Sequence, residues 1–278
     1  MIINLKAINE LKQKLNIQDD IDILAVRGSE ANGYEILMDD IILHQINESN
    51  TSLSDVFIVP VEDSVITFKG STIPNKNYLD GNERVNQLMN GFYTHYSKGI
   101  HNKGTNTEHN ALRQTRNQPA LRTYDKESDK FLIDGEIDFS NVHDNIHASW
   151  CRESNQQYYE SKGCQVIMGY PKCPKRKKAE LHWKTFDSVI SSIDKQIWNY
   201  LLIPYRWLNL QSDICIFGSK GEKVKFLQKL LGINQDGKFG KETLLSVIKF
   251  QKENNLVIDG VAGNNTFEML KMKTGIRK

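Results

Sequence analysis

Long hydrophobic runs are missing from this sequence. No stretch approaches the ~20 consecutive apolar residues that a membrane-spanning helix requires, so a membrane is not an expected partner. Met1 to Leu15 lacks the unbroken apolar segment of a secretory signal. Its Leu5, Ile8, Leu11 and Leu15 are separated by polar and charged residues and predict one amphipathic helix. The expectation is a protein made in the cytoplasm without an ordinary export signal. A dominant charge is missing too: 36 Lys and Arg stand against 34 Asp and Glu, which leaves no global field to attract nucleic acid. One basic run (Lys172, Lys175, Arg176, Lys177, Lys178) reads as a solvated loop, with contact to an anionic polymer as the alternative. Cysteine is scarce. Cys151, Cys164, Cys173 and Cys215 are too few for a disulfide scaffold and include no C-x-x-C pair of the zinc type. No cofactor is expected. The 278 residues suffice for one large and one small domain.

Short apolar runs rich in β-branched and aromatic residues fill the first two hundred positions. Ile21 to Val26, Tyr34 to Met38, Val56 to Val61, Val65 to Phe68, Val142 to Ile146, Gln165 to Met168 and Trp198 to Ile203 predict strands. Gly70 to Gly81 and His101 to Asn110 are polar and predict loops, and Thr185 to Ile197 predicts a helix. The fold class is α+β: a mostly-β domain over 1–205, a linker over 206–217 and a small all-α domain over 218–278.

The last part changes period. Val224, Leu227, Leu230 and Leu231 have helical spacing, as do Leu244, Val247, Ile248 and Gln251, and then Phe267, Leu270 and Met272. Between these three helices stands a repeat. Asp236-Gly237-Lys238-Phe239-Gly240-Lys241-Glu242-Thr243 and Asp259-Gly260-Val261-Ala262-Gly263-Asn264-Asn265-Thr266 both read D-G-x-x-G-x-x-T. Asp-Gly makes a tight turn because Gly tolerates positive φ. The second Gly releases the chain into a helix, and the Thr falls in its first turn near unpaired N–H groups. With Val224-x-x-Leu227-Gln228-x-x-Leu231-Gly232 and Val247-x-x-Phe250-Gln251, these residues resemble the three-helix peptidoglycan-binding domain found beside many wall hydrolases. One departure is Lys241 or Asn264 where Pro is common after the second Gly. The resemblance implies peptidoglycan as partner.

The segment richest in chemistry is Asn141 to Gly169. It holds His143, His147, Cys151 and Cys164, with Cys164 directly after Ser161-Lys162-Gly163 and before an apparent strand beginning at Gln165. A cysteine nucleophile needs a thiolate, which an imidazole or nearby positive charge favours. A Gly-containing turn exposes the thiol and lets adjacent N–H groups converge into an oxyanion hole. Ile146-His147 followed by Ser161-Lys162-Gly163-Cys164 resembles the motif of L,D-transpeptidases over residues 141–169. The resemblance implies Cys164 as nucleophile, His147 as general base, the N–H groups of Gly163 and Cys164 as oxyanion hole, and Ser161 as shaper of the turn. It departs in two places: Val166 stands where the family has Arg, and Ala148 where it often has Gly. Arg152, Arg122 and Lys162 are the candidates to replace that Arg, with Gln165, His101 and Tyr93 as further substrate contacts. Tyr93 and His101 belong to the aromatic, polar segment Gly91 to His101, which otherwise reads as a strand and loop.

Other constellations are weaker. Cys151, four residues after His147, reads as structural, with a second thiol in the site as the alternative. His143, His147, Asp144 and His101 invite zinc, but no H-E-x-x-H is present, and no metal is expected. Glu136 and Asp138 are the pair a glycan-cleaving lysin would use. The expected function is therefore a cysteine-dependent peptidoglycan hydrolase or transpeptidase of periplasm or wall, divergent enough to be a phage lysin or antibacterial toxin with its own immunity or delivery protein. The alternatives are a muramidase-like endolysin and a non-catalytic wall-binding protein.

Overall fold

The computed structural model describes residues 1–80, 84–156 and 158–276. Gly81, which closes the loop expected from Gly70, Gln157 within the segment 141–169, and 277–278 at the end of the expected helical domain lie outside the described residues. Eight strands matter most: β1 (Ile23–Arg27), β2 (Asp55–Val61), β3 (Ser64–Ser71), β4 (Gly91–His101), β5 (His109–Gln114), β6 (Ile146–Ala148), β7 (Gln165–Ile167) and β8 (Ile197–Pro204). They follow one another in the order β7-β6-β5-β4-β8-β1-β2-β3, and β3 pairs back onto β7 through Ser71 opposite Val166. The sheet is thus closed, and every one of these strands has a neighbour on both sides.

Alternation explains why Val, Ile, Leu and Phe dominate here. On β1, Ile23 and Ala25 face one buried cluster with Phe57, Phe68, Tyr93, Tyr96 and Tyr200. Leu24 and Val26 face a second cluster on the other side, which helix α1 (Leu5–Lys14) covers with Ile8 and Leu11. Both faces of the strand are buried, so the run is continuously apolar. Helix α2 (Leu181–Ser192) adds Trp183, Phe186 and Ile190 to the first cluster.

Several boundaries moved. Helix α1 begins at Leu5, because the Asn4 side chain accepts from Ala7 N–H and caps it. Ile2 and Ile3 instead pair with Ile41 and Ile42. Of Tyr34 to Met38 only Leu37–Met38 is strand. The strand expected over Val142 to Ile146 begins only at Ile146, since His143 has φ +61 and cannot continue a ladder. The helix expected from Thr185 starts earlier, at Leu181, and ends at Ser192. The loop expected from His101 to Asn110 is the turn between two long paired strands, with His101 opposite His109.

The C-terminal helices are α3 (Glu222–Leu231), α4 (Lys241–Glu253) and α5 (Asn264–Thr274). One buried glutamine organises each repeat. Gln228 Nε2 donates to Asp236 Oδ1 (2.8 Å), Lys238 O (3.1 Å) and Thr243 Oγ1 (3.0 Å), while its Oε1 accepts from Gly237 N (2.8 Å). Gln251 makes the same set with Asp259 (2.9 Å), Val261 O (2.9 Å), Thr266 (3.3 Å) and Gly260 N (3.0 Å). Gly237 and Gly260 have φ +71 and +68, as the turn demands. The two threonines fall in the first turns of α4 and α5, as expected. Their hydroxyls donate back to the turn carbonyls of Lys238 and Val261.

The segment 206–217 is not a free linker. Trp207, Ile214 and Ile216 are buried in the barrel's outer cluster. Cys215 pairs with Ala262 of the helical module, and Ser219 Oγ donates to Leu15 O. The module's core also takes in Met89 and Leu121 from the β region. The two parts are packed on one another, so the module holds a set position relative to the barrel.

Candidate functional site

The parallel pair β6–β7 positions the cysteine. Ile146 lies opposite Gln165 and His147 opposite Val166, and Gln165 N donates to Asn145 O (2.9 Å). Cys164 therefore stands beside Asn145, immediately before β7. Ser161 closes the turn before it: Ser161 Oγ donates to Cys164 O (2.7 Å) and accepts from Gly163 N (3.2 Å). Gly163 has φ +151, and a Cβ there would collide with the side-chain amide of Asn86. Only glycine fits where the segment around Asn86 passes so close.

Cys164 lines a cleft of about 290 Å³ with Arg84, Asn86, Arg122, Val142, His143, Asp144, Lys162 and Gly163. Its thiol donates to His143 O (3.3 Å). Enclosure, and next the neighbouring Asp144, push the thiol up to about 12, against the pull of the Asn145 and Cys164 N–H groups. The resting group is a neutral thiol. Gly163 N–H is spent on Ser161, so the N–H groups nearest the sulfur are those of Asn145 and Cys164.

His147 lies one strand away. By strand spacing and rise, its backbone is roughly 8 Å from that of Cys164, and the register gives both side chains the same face. No hydrogen bond joins them, because the thiol is turned the other way, toward His143. His147 is buried, with Nδ1 2.8 Å from Ala148 O. That contact makes Nδ1 the protonated nitrogen and leaves Nε2 as the basic one. Its ring stacks on His101 at 4.0 Å. Burial, then the neighbouring His101 and His109, hold His147 well below the ordinary histidine range. Burial also takes His101 down to about 4. Among the described residues no group of three or more His, Cys, Asp or Glu is arranged to hold a metal.

The remaining sequence candidates divide. Arg122 and Lys162 line the cleft. Arg122 Nη2 pairs with Asp138 (2.9 Å) and Nη1 donates to Asn86 Oδ1 (3.3 Å), while Lys162 Nζ lies 5.1 Å from the Tyr78 ring. Arg152 is elsewhere, with Glu180 (3.5 Å) and the Tyr170 ring. Gln165 is not available to substrate: it is wholly buried, donating to Asp144 Oδ1 (2.8 Å) and accepting from Tyr200 OH (3.0 Å). Tyr93 is also withdrawn, in the barrel core with its hydroxyl on Met89 O. His101 supports His147 and does not line the cleft. Cys151 is buried beside Ser149 Oγ (2.9 Å), with burial pushing its thiol up, so it is structural. Asp138 is held by Arg122 and Arg84; hydrogen bonding from Ser140 and these two cations hold its carboxyl below the usual range.

Sequence reasoning missed Arg84, Asn86 and the role of Asp144. Asp144 is buried between Asn86 Nδ2 (3.2 Å) and Gln165 Nε2, and burial raises it to about 7. Arg84 and Asn86 lie outside every periodic run, so no pattern marked them.

Barrel and helices together define an α+β protein in which a closed β region carries a small helical module. Residues 220–270 match a family model described as a putative peptidoglycan binding domain. The chain thus carries a peptidoglycan-binding helical domain, with peptidoglycan as its partner. No solved structure gives a significant match to the chain.

Proposed function

We propose that the barrel is a cysteine enzyme acting on the stem peptides of peptidoglycan, as a carboxypeptidase, endopeptidase or transpeptidase of the L,D type. The observation that carries this reading is a single thiol at the wall of a cleft ringed by Arg84, Arg122 and Lys162, in a chain with a peptidoglycan-binding module. Stem peptides bring carboxylates, and guanidinium groups pair with them bidentately. Arg122 and Arg84 supply the charge that Val166 does not.

Cys164 first rotates from His143 O toward His147. As sulfur attacks the peptide carbonyl, its proton passes to His147 Nε2, with Nδ1–H held on Ala148 O. The N–H groups of Asn145 and Cys164 are the nearest donors to the developing oxyanion. The carbon–nitrogen bond breaks, the imidazolium returns the proton to the departing amine, and a thioester remains. Water releases it as an acid, or a second amine takes the acyl group. A thiol pushed up to about 12 favours this concerted proton removal over a preformed ion pair.

A second reading makes His143 the base, because His143 and not His147 lines the cleft with Cys164. Glycan cleavage by Glu136 and Asp138 is disfavoured, since Asp138 is tied up by Arg122 and Arg84 and neither carboxyl lines the cleft beside Cys164. Under the proposed reading the protein works in the periplasm or cell wall, as a phage lysin or a delivered antibacterial toxin. Mass analysis of muropeptides after incubation with the protein and with Cys164→Ala tests it: cut or exchanged peptides appear only with the parent. Identical digests from both proteins leave a wall-binding protein without this chemistry.

A further inference from the structure

A larger cleft, of about 650 Å³, adjoins the cysteine site. Asn86 lines the cysteine cleft and Gln87 lines the larger one. The two clefts therefore meet along this segment of chain. The volume lies within the range of small-molecule sites.

Its walls have a distinct chemistry. Half-buried rings of Tyr124, Phe131 and Tyr205 stand among the amides of Gln45, Asn47 and Gln87. Tyr124 and Phe131 sit on the short strands Tyr124–Asp125 and Lys130–Phe131, their rings 5.3 Å apart. That hairpin is latched across the cleft, where Asn50 Nδ2 donates to Asp129 Oδ1 (2.8 Å). Arg206 also lines a third cleft, of about 460 Å³, with Gln251, Asp259 and Thr266 of the second repeat. One side chain thus joins the barrel's large cleft to the peptidoglycan-binding module.

We propose that the 650 Å³ cleft binds a saccharide segment of the glycan chain, which continues past Arg206 to the groove beside the second repeat. Sugar rings present C–H faces that pack on aromatic rings and hydroxyls that pair with planar amides. Cations dominate the cysteine cleft, whereas here Glu48 and Asp129 offset Lys130 and Arg206, and the third cation, Arg27, is buried with its guanidinium donating to Thr72, Asn90 Oδ1 and Leu88 O. The carboxylated peptide suits the first environment and the sugar the second. The inference rests on peptidoglycan as the module's partner and not on the chemistry of Cys164.

The test is calorimetric titration of the full-length Cys164→Ala protein with a tetramer of N-acetylglucosamine. Tyr124→Ala and Arg206→Ala are each expected to weaken binding about tenfold, in the range of a single important contact. Asn47→Trp, which fills the cleft from an exposed position and removes no packing, is expected to do the same. Arg84→Ala, in the cysteine cleft, leaves the affinity unchanged. Should Tyr124→Ala disturb the hairpin, Asn47→Trp decides. Unaltered affinity in Asn47→Trp, or no tetramer binding by the starting protein, overturns the proposal. Failure to turn over muropeptides would sink the cysteine reading and leave this titration as it is.

Discussion

Asp236 and Asp144 each accept a hydrogen bond from a glutamine amide at 2.8 Å, yet their carboxyls move in opposite directions. Asp236, on an exposed turn of the helical module, is held below the usual range by Gln228 and by the Lys238 N–H. Asp144, sealed in the barrel, is raised to about 7 because desolvation outweighs Gln165, Arg27 and Arg122. The same contact stabilises charge where water helps and fails to where water is excluded. The module satisfies its polar groups within a short stretch of chain, with Gln228 reaching Thr243 at a separation of 15 residues. The site in the barrel is assembled from afar, with Asn86 reaching Asp144 at a separation of 58.

The widest gap between the two regions would come from Cys164→Ala. Turnover of muropeptides should fall by about 10⁴-fold or more, while co-sedimentation with sacculi, the module's work, stays as in the parent. A loss of sedimentation instead would mean that the two regions are not functionally separable.

The histidines come next. His147→Ala should lower kcat by about 10²-fold to 10⁴-fold, with His143→Ala within a few-fold of the parent. The reverse ranking in single-turnover assays would install His143 as the base and make the His101–His147 stack structural.

Within the module the comparison is internal. Gln228→Ala and Gln251→Ala each strand a buried turn N–H, that of Gly237 or Gly260, so each should cost about 2 kcal/mol in urea unfolding. Equal losses confirm that the two repeats are physically equivalent, and a twofold difference breaks that equivalence.

The smallest effect is the dependence of stability on pH. Asp144 has a folded value of about 7 against 3.8 for the free group. Between those values the native state binds more protons than the unfolded state, so stability falls as pH rises from about 4 to about 7. Asp144→Asn should flatten that slope, worth at most a few kcal/mol, and stabilise the protein at pH 8. Asp236→Asn should act in the opposite sense: the contribution of Asp236 is present above pH 4 and fades as pH falls below it. Urea midpoints measured from pH 3 to pH 8 distinguish the two slopes.

How far the sequence could be read follows from the same contrast. The D-G-x-x-G-x-x-T turns were legible because glycine at positive φ and a repeated pattern are local facts. The buried glutamine behind them was visible as a residue in each repeat, but its four hydrogen bonds were not. The strands near Ile23, Val56, Val65, Gln165 and Trp198 were legible from β-branched runs. The break at His143 was not, because it depends on a backbone angle that the neighbouring polar network imposes. In the site, Cys164 and Gly163 stood out through their turn. Tyr93 and Gln165 looked equally suited to substrate contact, and nothing local revealed that the barrel would bury both. Arg84 and Asn86 carried no local signal at all.

By itself the sequence determined the α+β division, the helical module with its peptidoglycan-type repeats, and the short turn that presents Cys164, because each depends on residues close along the chain. Only the tertiary structure decided that the sheet closes, that the module is packed against the barrel, which way the thiol points, and that Asp144 beside it is raised to about 7. Those outcomes depend on strand register and on the exclusion of water, and both arise only when distant segments meet.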